Sequence, residues 1–213
     1  MTLKPEEIEL LNPEKTDLLI IDMTRSYCDP SEGVAKLHGT DTVEIQEIVP
    51  RLKDFIQQAR GYKVPIIWTK MIEDPDHVCF PPNMARKMRF TDTPSLSSPV
   101  VGWEYFGVQP EKGDMQIVKL HYNAFTGTDL RYYLKVDGAK TLVITGVYTS
   151  RCVDATAIVA SDVFGYDVFV PRDLVGVPRA FSAEQDPILG RIDSIFGYVV
   201  NSQEILNAWA SYK

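Results

Sequence analysis

Residues 142–153 read LVITGVYTSRCV, and the run Thr141 to Val147 is β-branched, apolar and free of charge. A run with no polar alternation fits a strand buried on both faces, the position of a central strand in a parallel sheet covered by helices. Gly146 is expected to break it. From Val153 the apolar positions Val153, Ala157, Ile158, Ala160, Val163 and Phe164 recur at helical spacing, with Thr149 or Ser150 placed to cap the first turn. Cys152 therefore falls where strand becomes helix. Unpaired backbone N–H groups and the positive end of a helix dipole favour thiolate over thiol there, which makes Cys152 a candidate nucleophile. The alternative is a small apolar residue packed into a core.

The rest of the chain repeats the alternation of strand and helix. Thr16 to Asp22, TDLLIID, reads as a buried strand ending in an acid, and Met23 to Thr40, with Pro30 and Gly33, as a loop. Asp41 to Arg60 has the apolar spacing of a helix, with Pro50 in its first turn or at a kink and Gly61 ending it. Further strands are expected at Val64–Thr69, Met115–Leu120, Asp167–Pro171 and Tyr198–Val200, and helices at Thr126–Leu134, around Ser182–Ile195 and after Asn201, where Asn201 and Glu204 form a capping-box pattern. These segments predict a single α/β domain over residues 1–213, three layers with a six-stranded, mainly parallel sheet. Residues 1–15 read as an arm. Residues 71–113, rich in proline and aromatics, read as a lid or a subunit contact.

Composition removes several function classes. A net charge of −7 argues against nucleic acid or an anionic membrane as partner. No segment approaches membrane-span length, and the N-terminal MTLKPEEIELL lacks the basic and apolar pattern of a signal peptide, so a cytoplasmic location is expected. Cys28, Cys79 and Cys152 have no paired spacing, and His38, His77 and His121 form no ligand pair, so neither a disulfide framework nor a metal site is expected. Neither G-x-G-x-x-G nor a P-loop is present, and no cofactor is called for.

Three residues then converge. Asp22, Lys119 and Cys152 each lie at or just beyond the carboxyl end of an expected parallel strand, where open α/β sheets form their ligand crevice. Together they supply a thiol to attack, a carboxylate to take its proton and an ammonium to hold the charges. Taken alone, Asp22 could be a turn carboxylate and Lys119 a strand-edge lysine reaching to water.

With LLIIDM around Asp22, GYKVP before the second strand, VKLHYNAFTGTDL around Lys119 and LVITGVYTSRCVDAT around Cys152, nearly the whole chain resembles the isochorismatase-like cysteine hydrolases, closest to the N-carbamoylsarcosine amidase-like subgroup. The resemblance implies a cysteine-dependent amidohydrolase that cleaves the C–N bond of a small amide or of a carbamoyl or ureido compound through a thioester. Asp22, Lys119 and Cys152 would be its catalytic residues. It also implies a non-proline cis peptide between Val147 and Tyr148, with the backbone N–H groups of Tyr148 and Cys152 forming the oxyanion hole. Candidates for substrate contact are Tyr27, Trp103, Tyr122, Phe125, Thr149 and Arg179, with Arg172 competing with Arg179 for a substrate carboxylate. A homo-oligomer, dimer or tetramer, is the expected assembly.

The departures narrow the reading. Thr24 and Tyr27 stand where the family motif usually has Gln and Phe, and Trp68, Thr69, Lys70 and Met71 replace the Asp-x-His metal motif of nicotinamidases. True isochorismatases lack the cysteine. The competing readings are a metal-dependent nicotinamidase-type amidase and a catalytically silent member serving as a binding or oligomer scaffold.

Overall fold

The computed structural model describes residues 3–37, 39, 41–71 and 102–212. The predicted 71–113 segment lies mostly outside them, and so do His38, His77 and Cys79.

Every pairing within the sheet is parallel. Strands β1 (Thr16–Ile21), β2 (Ile66–Met71), β3 (Met115–Lys119), β4 (Thr141–Val147), β5 (Asp167–Pro171) and β7 (Tyr198–Val200) stand in the order β3-β2-β1-β4-β5-β7. A two-residue β6 (Val175–Gly176) pairs with the end of β4. The six predicted strands are all present, and β6 is an addition too short to carry any periodicity. β1 and β4 are buried at every position, as the apolar runs Leu18–Ile21 and Leu142–Ile144 within them require for the sheet centre. Gly146 does not end β4, contrary to expectation. Opposite Ile21, at φ 100°, it lets the two strands close up where a Cβ would stand 2.1 Å from the Ile21 carbonyl oxygen.

Among the described residues the helices are α1 (Pro5–Leu10), α2 (Arg25–Cys28), α3 (Gly33–Leu37), α4 (Val43–Gly61), α5 (Leu130–Asp137), α6, α7 (Ser182–Arg191, continuing through Ile192–Phe196) and α8 (Ser202–Ala210). α6 runs through three segments, Thr149–Val153, Asp154–Ile158 and Val159–Val163. α4 buries Ile45, Ile48, Leu52, Phe55, Ile56 and Ala59, one stripe at helical spacing. That stripe carries the helix straight through Pro50, which lies in its interior rather than in the first turn. Its end is a Schellman turn, Val64 N–H to the Ala59 carbonyl and Lys63 N–H to Arg60, with Lys63 at φ 61° in the place usually given to glycine. α4 and α8 pack together where Phe55 and Tyr62 meet Trp209, and the capping box at Asn201 and Glu204 forms as expected.

Three segments differ from expectation. Residues 23–40, predicted as a loop, hold the short helices α2 and α3, each little more than one turn and so below the length at which spacing is readable. The 1–15 arm contains α1 and a short 3₁₀ turn at Pro13–Lys15, and is pinned by buried Leu11 and by the Thr141 hydroxyl donating to the Leu10 carbonyl at 2.6 Å. The helix predicted at Thr126–Leu134 begins at Leu130, because the Thr128 hydroxyl bonds the Ala124 carbonyl and Asn123 caps its own turn.

Candidate active site

Four strands end on one crevice. β1 delivers Asp22 just past its last residue, β2 delivers Thr69, β3 ends in Lys119, and β4 runs through Val147 into the α6 turn that carries Cys152. The register fixes their neighbourhood, since Met71 pairs with Lys119 and Ile21 with Gly146.

Asp22 sits at φ 51°, a left-handed backbone that non-glycine residues adopt at a cost of about 1–3 kcal/mol, and its side chain is buried. Its Oδ1 accepts the Thr69 hydroxyl at 2.7 Å, and its Oδ2 lies 2.6 Å from Lys119 Nζ. Lys119 is fully buried, so the strand-edge alternative fails: on a half-exposed edge strand it points inward beside Ile117 while Val118 faces out. Besides Asp22, its ammonium reaches Cys152 Sγ at 3.2 Å and the His121 carbonyl at 3.1 Å. Burial works against the charge on Lys119, but Asp22 and Cys152 outweigh it and raise its pKa above the ordinary lysine value.

The first turn of α6 is wide: the Val153 N–H bonds the Tyr148 carbonyl five residues back, while the Arg151 N–H bonds the same oxygen. The peptide bond joining Val147 to Tyr148 is cis, as the resemblance implied. Thr149 and Ser150 do not cap the helix. The turn starts at Thr149 itself, whose hydroxyl points to Gln185 Oε1 at 3.4 Å, and the Ser150 hydroxyl accepts from Arg151. Two ion pairs, Arg151–Glu184 at 2.7 Å and Asp154–Arg191 at 2.5 Å, fasten this turn to α7.

The expected shift toward thiolate meets an opposing effect in burial. Burial pushes the Cys152 thiol above the ordinary cysteine value; the Lys119 ammonium pulls it down, and the Asp22 carboxylate pushes it up again.

The substrate-contact candidates separate. Tyr27 is buried and packs edge-on against Tyr148, ring centroids 5.5 Å apart, while the Tyr148 hydroxyl donates to the Tyr27 carbonyl. Thr149 is buried against α7. Trp103, partly exposed, belongs to the stretch Gly102–Phe106, which crosses α2 through bonds from Arg25 and Ser26 N–H to the Glu104 and Gly102 carbonyls. Tyr122 lies half-buried in the loop after β3.

Phe125 packs on Phe164 and Tyr166, at the far end of α6 from Cys152. Arg179 is exposed beside Asp41 at 3.2 Å and Glu44 at 3.5 Å, and Arg172 is exposed beside Asp186 at 3.4 Å. Sequence reasoning missed Thr69 and Tyr105. Tyr105 forms a bridge to Thr24, stacks edge-on with Trp68 and lies under the Lys70 ammonium at 4.1 Å; burial, then Asp22 and Asp114, raises the pKa of its hydroxyl. Among the described residues, no group of three or more His, Cys, Asp or Glu is arranged to hold a metal ion, and no helix is long and apolar enough to cross a membrane.

Comparison with known proteins agrees with this architecture. A cysteine hydrolase from Pseudomonas syringae pv. phaseolicola shares the fold with a TM-score of 0.81 at 24% identity, 95% of each chain being covered. An N-carbamoylsarcosine amidase from Thermoplasma acidophilum gives a TM-score of 0.68 at 22% identity, over 88% of this chain and 96% of its own. In sequence, a ureidoacrylate amidohydrolase of Methylorubrum extorquens is 27% identical over 92% of this chain and 83% of its own length. The family model described as the isochorismatase domain matches residues 16–204, from the first residue of β1 into α8. On that match, which takes in all four strand ends of the crevice, the chain belongs to the isochorismatase family.

Proposed function

We propose that the protein is a cysteine-dependent amidohydrolase that cleaves a C–N bond in a small amide, carbamoyl or ureido compound and releases ammonia or an amine. The observation that carries the reading is the buried contact set of Asp22, Lys119 and Cys152, in which one ammonium touches both the carboxylate and the sulfur. The names of relatives, ureidoacrylate amidohydrolase and N-carbamoylsarcosine amidase, supply the substrate class.

In the proposed step Asp22 takes the thiol proton as Cys152 Sγ bonds to the carbonyl carbon, so the thiolate exists only as it attacks. Lys119 offsets the charge passing between sulfur and carboxylate. The backbone N–H groups of Tyr148 and Cys152 receive the negative charge on the carbonyl oxygen. As the C–N bond breaks, Asp22 returns the proton to the departing nitrogen and leaves a thioester on Cys152. Water then gives a proton to Asp22 and its oxygen to the acyl carbon, and the sulfur leaves and recovers its proton. The chemistry balances with these side chains and one water.

A panel of simple amides, carbamoyl amino acids and ureido acids, ureidoacrylate among them, scored by ammonia release tests the reading. At least one member should be turned over, and Cys152→Ser should abolish that turnover while the folded circular dichroism spectrum is kept. Turnover that survives Cys152→Ser would remove the nucleophile.

A further inference from the structure

Thr69 meets Asp22 in two ways at once. The Asp22 N–H lies 3.3 Å from both the Thr69 carbonyl oxygen and Thr69 Oγ1, and the Thr69 hydroxyl lies 2.7 Å from Asp22 Oδ1. Both side chains are fully buried, with Thr69 near the carboxyl end of β2, the strand lying between β1 and β3. The lone pairs of Oγ1 face the amide of Asp22, which turns the hydroxyl hydrogen to the carboxylate. A carboxylate torsion is otherwise broad and two-fold, so a free Asp22 could rotate either oxygen toward any donor. With Oδ1 taken, Oδ2 is the oxygen left for Lys119, whose ammonium also reaches Cys152 Sγ.

We infer that Thr69 is the positioning residue of the Asp22 base, holding its left-handed backbone and one carboxylate oxygen so that the other faces the Cys152 thiol. The inference rests on the proposed cysteine mechanism, and it assigns a function to a residue whose β-branched side chain otherwise reads as an ordinary strand former. Thr69 touches no reacting atom. Its effect passes through Asp22 by orientation.

The test needs no substrate. Alkylation of Cys152 by iodoacetamide, located by peptide mass and followed from pH 4 to 9, reads how readily the thiol gives up its proton. Thr69→Val, which exchanges the hydroxyl for a methyl group, should slow alkylation at pH 7 about tenfold, as expected when the base loses the hydrogen bond that orients it. Thr69→Ser should follow the wild type. Should the valine variant fail to fold, Thr69→Ala against Thr69→Ser makes the same comparison, since the two differ by one oxygen. Asp22→Asn is the control. If Asp22→Asn changes the profile and the hydroxyl-free variants match Thr69→Ser, Thr69 only packs and the inference is overturned. If Asp22→Asn itself leaves the profile unchanged, the base assignment falls and takes the inference with it.

Discussion

Lys119 uses all three of its N–H donors inside the site, on Asp22, Cys152 and the His121 carbonyl, and an ammonium has no more to give. Such a cation is a fixed element of the site. Removing it leaves the Asp22 carboxylate buried without its partner, so Lys119→Met is expected to lower stability by about 3–5 kcal/mol, whereas Asp22→Asn/Lys119→Met, which removes both charges, should recover much of that loss. Urea unfolding of the two variants against wild type measures it; a double variant no more stable than Lys119→Met would mean that the ion pair is not what Lys119 contributes. Asp22, Lys119 and Cys152 were legible in sequence because each lies at or just beyond the carboxyl end of an apolar strand. The partners of Arg179 were not legible, because a loop arginine announces a charge but not its neighbours, and Asp41 and Glu44 lie on a segment far away in sequence. Thr69 was hidden for the opposite reason, its polarity being ordinary in a β-branched strand.

The close approach of β1 and β4 sets the spacing between the turns that carry Asp22 and Cys152. At Gly146 a methyl group would meet both the carbonyl oxygen and the nitrogen of Ile21, at 2.1 and 2.7 Å, on a backbone already at φ 100°. Gly146→Ala is therefore expected to cost about 3 kcal/mol or more through strain and overpacking. Thermal unfolding checks it, and a melting temperature within a degree or two of wild type would show that the strands can part without penalty. Elements of this kind were the legible part of the fold: β1 and β4 through their apolar runs, α4 through its stripe, α8 through its capping box. What escaped was shorter than its own period, as with α2, α3 and β6, or was fixed by side chain to backbone bonds that no spacing reveals, as at the start of α5.

Across the molecule, the end of the sheet opposite the crevice holds another buried acid. Asp17, at the start of β1, has an Oδ2 with no hydrogen-bond partner, and burial, then Asp137, pushes its carboxyl from the ordinary 3.8 up to about 7. A carboxyl raised on folding is held best when protonated. Its contribution is complete below about pH 4 and is lost as pH rises from there through about 7, a change on the order of 4 kcal/mol at most. Chemical denaturation at pH 5 and pH 8 should show wild type losing stability relative to Asp17→Asn as pH rises; parallel behaviour of the two would place the carboxyl in contact with solvent.

The strand order carries a further consequence, in time rather than space. β1 is made first yet ends between β2 and β4, and the edge that β4 covers stays open until residue 147 has been synthesised. At about 5–20 residues per second that interval is roughly 6–25 s, during which a nascent chain carries the apolar run Leu18–Ile21 with one flank unpaired. The same centrality that lets β1 present Asp22 between its partners makes it the segment most exposed to wrong pairings while the protein is being born.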